Sequence, residues 1–131
     1  MSDKVKIAVD AMGGENSPNK IIQGIEISLK KNKENYFYLF GDELILNKEI
    51  SKTKLVGSHS EIINTKDVIL DTESPLTAAK RSKESSMWKT IESLKEKKTD
   101  VSLSAGNTGA LLVISRLPLQ TINGISKPAL A

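Results

Sequence analysis

Cysteine is absent from the 131 residues, which excludes a disulfide framework, a thiolate-held metal and a cysteine nucleophile within this segment. A reducing cytoplasm is permitted by that absence. Aromatic side chains make up only 4% of the chain, and arginine occurs only at Arg81 and Arg116, so neither the arginine patch nor the stacking platform of a nucleic-acid binder is present. The formal net charge of +3 leaves the many lysines as a solvated surface. No apolar run exceeds a few residues, and Lys4 and Lys6 interrupt the N-terminus. The sequence therefore predicts neither a spanning helix nor a secretion signal.

What is present alternates between strand and helix patterns. Val5, Ile7 and Val9 alternate with Lys6 and Ala8, which predicts a strand ending at Asp10. A helix should follow, capped by Ser17, with Pro18 in its first turn and Ile21, Ile22, Ile25 and Leu29 forming one apolar stripe. Tyr36 to Phe40 supply a second strand, closing a βαβ unit whose crossover should be right-handed. Leu44 to Ile50 suits a short helix, Thr53 to Val56 a third strand, and Glu61 to Leu70 an irregular region with a short β segment. From Pro75, one helix is expected to carry Leu76, Ala79, Met87, Ile91 and Leu94 on a single face and to end in the run Lys95 to Lys98. Val101 to Leu103 follow as a strand, and Gly109 to Leu117 as a helix ended or kinked by Pro118.

No repeat, low-complexity tract or dividing linker is visible. Three or four βα transitions place the chain among α/β folds with helices on both sides of a sheet. Lys127 to Ala131 reads as the opening of another strand, which suggests a piece of a larger protein.

Three polar segments carry the chemistry. Ser104-Ala105-Gly106-Asn107-Thr108-Gly109-Ala110 joins a strand to a helix, and its glycines allow backbone amides at the helix N-terminus to approach an anion. Asp10-Ala11-Met12-Gly13-Gly14-Glu15-Asn16 leaves the first strand at the same predicted edge. Asp10 could orient a ligand, hold a metal or stabilise its own turn. Neither segment has the spacing of a dinucleotide fingerprint or of a triphosphate loop. The third segment, Lys80 to Met87, puts Lys80, Lys83 and Met87 near one helical stripe and Arg81, Ser85 and Trp88 near the next. Such a surface suits phosphate, although an ordinary amphipathic helix explains it too. His59 stands alone among Gly57, Ser58 and Ser60 and reads as a loop residue.

These three blocks resemble the N-terminal portion of the bacterial phosphate acyltransferases of phospholipid synthesis. The likeness runs through Ile7 to Gly14, Ser74-Pro75 to Ser85-Ser86-Met87, and Ser104 to Ala110, and it covers essentially all 131 residues. Departures are small: Glu15 stands where aspartate is usual, Lys80 and Ser82 replace more basic choices, and Pro118, Gln120 and Thr121 alter the end of the last helix. Lysine in place of arginine exchanges a rigid fork for a mobile point charge.

The resemblance implies a three-layer α/β/α sandwich, Rossmann-like and akin to the phosphotransacetylase and isocitrate dehydrogenase folds, with residues 1–131 as the N-terminal part of one larger domain. It implies conversion of fatty acyl-acyl-carrier-protein and inorganic phosphate to acyl phosphate, without cofactor or metal. It also implies a cytoplasmic homodimer able to associate peripherally with the membrane, where a glycerol-phosphate acyltransferase takes the product. By the same likeness Asp10, Arg81, Lys83 and Asn107 are the expected catalytic residues. Gly13, Gly14, Asn16, Lys80, Ser85, Ser86, Ser104, Gly106, Thr108 and Gly109 are the expected phosphate and substrate contacts. A non-enzymatic phosphate-binding domain and a coenzyme A-dependent phosphotransacylase remain the alternatives.

Overall fold

The computed structural model describes residues 4–126. The expected strand opening at Lys127 to Ala131 lies outside the described residues. Four parallel strands form one sheet in the order β3-β2-β1-β4. They are β1 Lys6–Asp10, β2 Tyr36–Gly41, β3 Ser60–Asn64 and β4 Val101–Ser104. Between them run α1 Asn19–Lys31, α2 Glu43–Ile50, α3 Pro75–Arg81 and α4 Ser86–Lys95, and α5 Thr108–Leu119 follows β4.

Alternation along the strands assigns the two faces. Ile7, Val9, Phe37 and Leu39 meet α1 in a core that also contains Ile22, Ile25 and Leu29. On the opposite face α4 packs over β1, β2 and β4, and a second core forms around Met87, Ile91, Ala110 and Ile114. Helices therefore cover both sides of a parallel sheet, the arrangement of a Rossmann-like sandwich.

The first βαβ unit and α2 lie where the sequence predicts them, but Ser17 does not cap α1. Pro18 occupies the cap position without a side-chain bond, because the Ser17 hydroxyl turns back to donate to the Gly13 carbonyl at 2.6 Å. Thr53 to Val56 form no strand. The buried carboxylate of Glu26, on α1, accepts the backbone amides of Lys54, Leu55 and Val56. With those donors used, the chain makes a 3-10 turn at Val56–His59 and begins β3 only at Ser60.

The single helix expected from Pro75 is two. Ser82 leaves the helical backbone after α3, and the Ser85 hydroxyl caps a new helix by accepting the Trp88 amide at 3.1 Å. Ala79, Met87 and Ile91 are buried as expected, whereas Leu76 is 65% exposed. The break also separates the two stripes predicted across Lys80 to Trp88. Of the run Lys95 to Lys98, only Lys95 is helical, and Lys97 takes a positive φ beyond the end. Pro118 sits in the last turn of α5, which ends one residue later at Leu119.

Candidate anion site at the edge of the sheet

The chain order of the strands reverses beside β1: β2 and β3 lie to one side and β4 to the other. In open parallel sheets a crevice opens at such a switch point, beyond the carboxyl ends of the strands. Asp10 ends β1 and Ser104 ends β4, and they are paired in register.

Asp10 is 1% exposed. Its Oδ1 accepts the Ser86 hydroxyl at 2.6 Å, the Gly13 amide at 3.1 Å and the Met12 amide at 3.3 Å. Its Oδ2 accepts the Ser104 hydroxyl at 2.9 Å. A carboxylate offers about four lone-pair positions, two on each oxygen, so Oδ1 is fully engaged by its own protein while Oδ2 accepts a single bond. Burial pushes the carboxyl above its ordinary pKa, while the bonds from Ser86, Ser104, Met12 and Gly13 pull the other way and offset it only in part. The three blocks separated in sequence are thus tied together at one side chain.

The backbone around this tie is tightly packed. A Cβ at Gly13 would stand 2.5 Å from Asp10 Oδ2 and 3.1 Å from the Gly106 Cα. Gly14 has φ +95° and lies against the Ala105 carbonyl, and Asn16 also has a positive φ. Ser104 Oγ, besides donating to Asp10, accepts the Gly106 amide at 3.1 Å. At the start of α5 the Asn107 Oδ1 accepts the Ala110 amide, and the Asn107 carbonyl accepts that of Leu111. The Thr108 and Gly109 amides take no partner among the described residues. They are the groups an anion can use.

The other expected residues have different surroundings. Ser85 is buried, with its hydroxyl engaged as the α4 cap. Arg81 forms ion pairs with Glu73 and Asp67, and those carboxylates hold its guanidinium above its ordinary pKa. Lys80 and Lys83 line a separate cleft between α3, α4 and α5. Asn107 has a second task. Its amide donates to the carbonyls of Leu70 and Glu73, at 3.2 and 2.9 Å.

Asn107 and Arg81 together hold the segment from Asp67 to Glu73 against the start of α5, a connection the sequence reading missed. Its signal was charge, two acids placed just ahead of the helix that carries Arg81. Among the described residues no group of three or more His, Cys, Asp or Glu is placed to hold a metal.

The family described as "Fatty acid synthesis protein" matches residues 5–131. The chain belongs to this fatty acid synthesis protein family. Among family relatives, a phosphate acyltransferase of Pelagibacter ubique (strain HTCC1062) is 54% identical over 131 residues, covering all of this chain and 39% of the relative. The phosphate acyltransferase of Afipia carboxidovorans (strain ATCC 49405 / DSM 1227 / KCTC 32145 / OM5) is 39% identical over 132 residues, covering 37% of its length. That of Rhodopseudomonas palustris (strain BisA53) is also 39% identical, covering 38%. The chain spans about two fifths of the length of the curated relatives it matches.

Proposed function

We propose that this chain forms the phosphate-holding part of a phosphate acyltransferase of phospholipid synthesis, which makes acyl phosphate from fatty acyl-acyl-carrier-protein and inorganic phosphate. The observation that carries the proposal is the anchored turn at residues 104–109. Asp10 and Ser104 fix its base, Gly13 and Gly106 let the two turns pack backbone to backbone, and the first amides of α5 are left without a partner among the described residues. The names of the relatives supply the reaction class.

In this reaction a phosphate oxygen uses a lone pair to form the new bond to the thioester carbonyl carbon. The C–S bond breaks, and the carrier thiolate leaves with the electron pair and takes a proton from solvent. Phosphate is itself the nucleophile, so the displacement balances without a protein nucleophile. The Thr108 and Gly109 amides position phosphate for attack. Asp10 acts as a positioning residue, its Oδ1 accepting from Met12, Gly13 and Ser86 and its Oδ2 from Ser104. Asn107 orients the same amides as the cap of α5. Arg81 lowers the repulsion between phosphate and its surroundings by exchanging its carboxylate partners for the incoming anion, and Lys83, exposed at the rim of the α3–α4–α5 cleft, adds longer-range positive charge.

The proposal extends to the remaining expectations: kinship with the phosphotransacetylase and isocitrate dehydrogenase folds, one larger domain, a homodimer, cytoplasmic residence with peripheral membrane association, and delivery of product to a membrane glycerol-phosphate acyltransferase. The test joins this chain to the remaining length of the Pelagibacter ubique relative. The joined protein is assayed for acyl phosphate with acyl-carrier-protein and coenzyme A thioesters. Phosphate-dependent product from the carrier-protein thioester is expected. Product from the coenzyme A thioester alone would assign the alternative transferase, and phosphate binding without product from either would assign a binding domain.

A further inference from the structure

The segment between β3 and α3 is fixed at both ends and open in the middle. At its start the Asp67 carbonyl accepts the Ser86 amide at 3.0 Å, and Ile69 is 4% exposed within the second core. At its end Pro75 lies against α5, where a Cβ at Gly109 would stand 2.5 Å from the Pro75 Cγ. Between these points Leu70, Asp71 and Thr72 are exposed and Glu73 is half-buried. Glu73 joins two groups on which the anion site depends. Its carbonyl accepts the side-chain amide of Asn107, the cap of α5, at 2.9 Å. Its Oε1 accepts Arg81 through Nε at 2.8 Å and through Nη2, and its Oε2 accepts the Leu70 amide at 2.8 Å. The remaining arm of the guanidinium, Nη1, donates to Asp67 Oδ2.

One guanidinium thus stands between two carboxylates, and phosphate at the Thr108 and Gly109 amides meets net negative charge unless a carboxylate withdraws. Both ion pairs are open to water, and such pairs contribute little to stability. Phosphate offers the same rigid fork two oxygens and a higher charge. A ligand moves an equilibrium only as far as it prefers one state, and phosphate prefers the state in which Arg81 is free. We propose that Glu73 is an internal competitor of phosphate for Arg81, so that phosphate arriving at the start of α5 unclasps the strap formed by residues 70–73. The proposal rests on the anion site described above. Once Arg81 has left, the Asn107 bonds to the Leu70 and Glu73 carbonyls hold the strap beside the site while its exposed side yields. Glu73 is a positioning residue that acts through Arg81 and sets how much phosphate the site requires.

Amide shifts and amide hydrogen exchange of the 131-residue chain are measured in inorganic phosphate and in chloride at equal ionic strength. Phosphate should shift the Thr108 and Gly109 amides and speed exchange at Leu70, whose amide donates to Glu73, while the Ser86 amide stays protected. Glu73→Gln should bind phosphate about threefold more tightly, the size of effect expected from removing one exposed competing charge. Arg81→Gln should bind it more weakly, with Leu70 exchanging fast whether or not phosphate is present. Weaker phosphate binding in Glu73→Gln would show that Glu73 holds Arg81 ready for the anion, and overturns the competition. Shifts at Thr108 and Gly109 with unchanged exchange at Leu70 in the unaltered chain overturn the strap and keep the anion site. Absence of any phosphate-dependent shift at Thr108 and Gly109 removes the anion site and the strap together.

Discussion

Ser86 and Asp10 are 76 residues apart in sequence and 2.6 Å apart in the fold, with the Ser86 hydroxyl donating to Asp10 Oδ1. That bond joins the first turn of α4 to the end of β1 at a buried point. Removing it by Ser86→Ala leaves the carboxylate short of one strong donor and should lower stability by about 1 to 3 kcal/mol. Urea unfolding measures the change. A loss no larger than that of an exposed control such as Ser51→Ala would show that the carboxylate finds another partner.

Glycine at position 13 is required by contact, and glycine at position 24 is not. Gly13→Ala would drive a Cβ against Asp10 and the Gly106 backbone and should cost about 1 to 3 kcal/mol through displaced packing. Gly24→Ala, in the middle of α1 with nothing within 4 Å, should stabilise by up to about 1 kcal/mol through helix propensity. Opposite shifts in thermal midpoint are expected, and shifts of the same sign would refute the contact account.

Asp10 and Glu26 should titrate in opposite directions from their ordinary values. Burial raises the Glu26 carboxyl, but the amides of Lys54, Leu55 and Val56 and the charge of Lys30 outweigh it, so its pKa falls below 4.5. Its contribution to stability is full above the unfolded value and is lost as pH drops through the lowered folded pKa. Asp10, raised above 3.8 by burial, contributes the opposite slope: its term is full below 3.8 and is lost as pH rises through the raised folded pKa. Side-chain carboxyl carbon shifts followed from pH 2 to 7 should separate the two, and ordinary values for both would remove the assigned environments. In Glu26→Gln the loss of stability relative to the unaltered chain should shrink as pH is lowered.

Asn107→Ala removes the α5 cap and both bonds to the preceding segment. The cap alone is worth about 1 kcal/mol. Stability should fall by about that amount or more, and limited proteolysis should cut sooner between Asp67 and Glu73. In the joined protein, phosphate saturation should require more phosphate. Unchanged saturation with reduced stability would restrict Asn107 to a structural role.

Neutralising Lys83 should impair turnover of the joined protein more than neutralising Lys97, which lies beyond the end of α4. Both lysines are exposed and open to screening, so a larger loss at Lys83 reports a contact with substrate and not its charge alone. Activities of Lys83→Gln and Lys97→Gln, each corrected for folded fraction, provide the comparison. Equal losses would indicate a general surface-charge effect.

The elements most legible in the sequence are those whose pattern is local. Val5 to Val9, the stripe Ile22-Ile25-Leu29 and the run Val101 to Leu103 each declare a period and a direction, and they place two of the polar turns at one edge. The strand expected at Thr53 to Val56 does not form because Glu26, 28 residues before Lys54, captures the Lys54 amide and those that follow, while β3 falls where the short β segment after Glu61 was expected. No window of sequence contains both partners. The division between α3 and α4 was signalled by Ser82 and Ser85, yet the helical period continues across them and hid the cap. At the site, glycines and a terminal aspartate were readable as a turn, whereas the tie at Asp10 depends on Ser86 and Ser104 arriving from elsewhere.

Gly13 and Gly106 meet backbone to backbone, with no side chain between them to absorb displacement. The turn after β4 therefore cannot shift toward β1 without carrying the loop after β1 along. An anion arriving at the Thr108 and Gly109 amides is mechanically coupled to the Gly13 amide, which makes that amide's chemical shift a reporter on a ligand it does not touch.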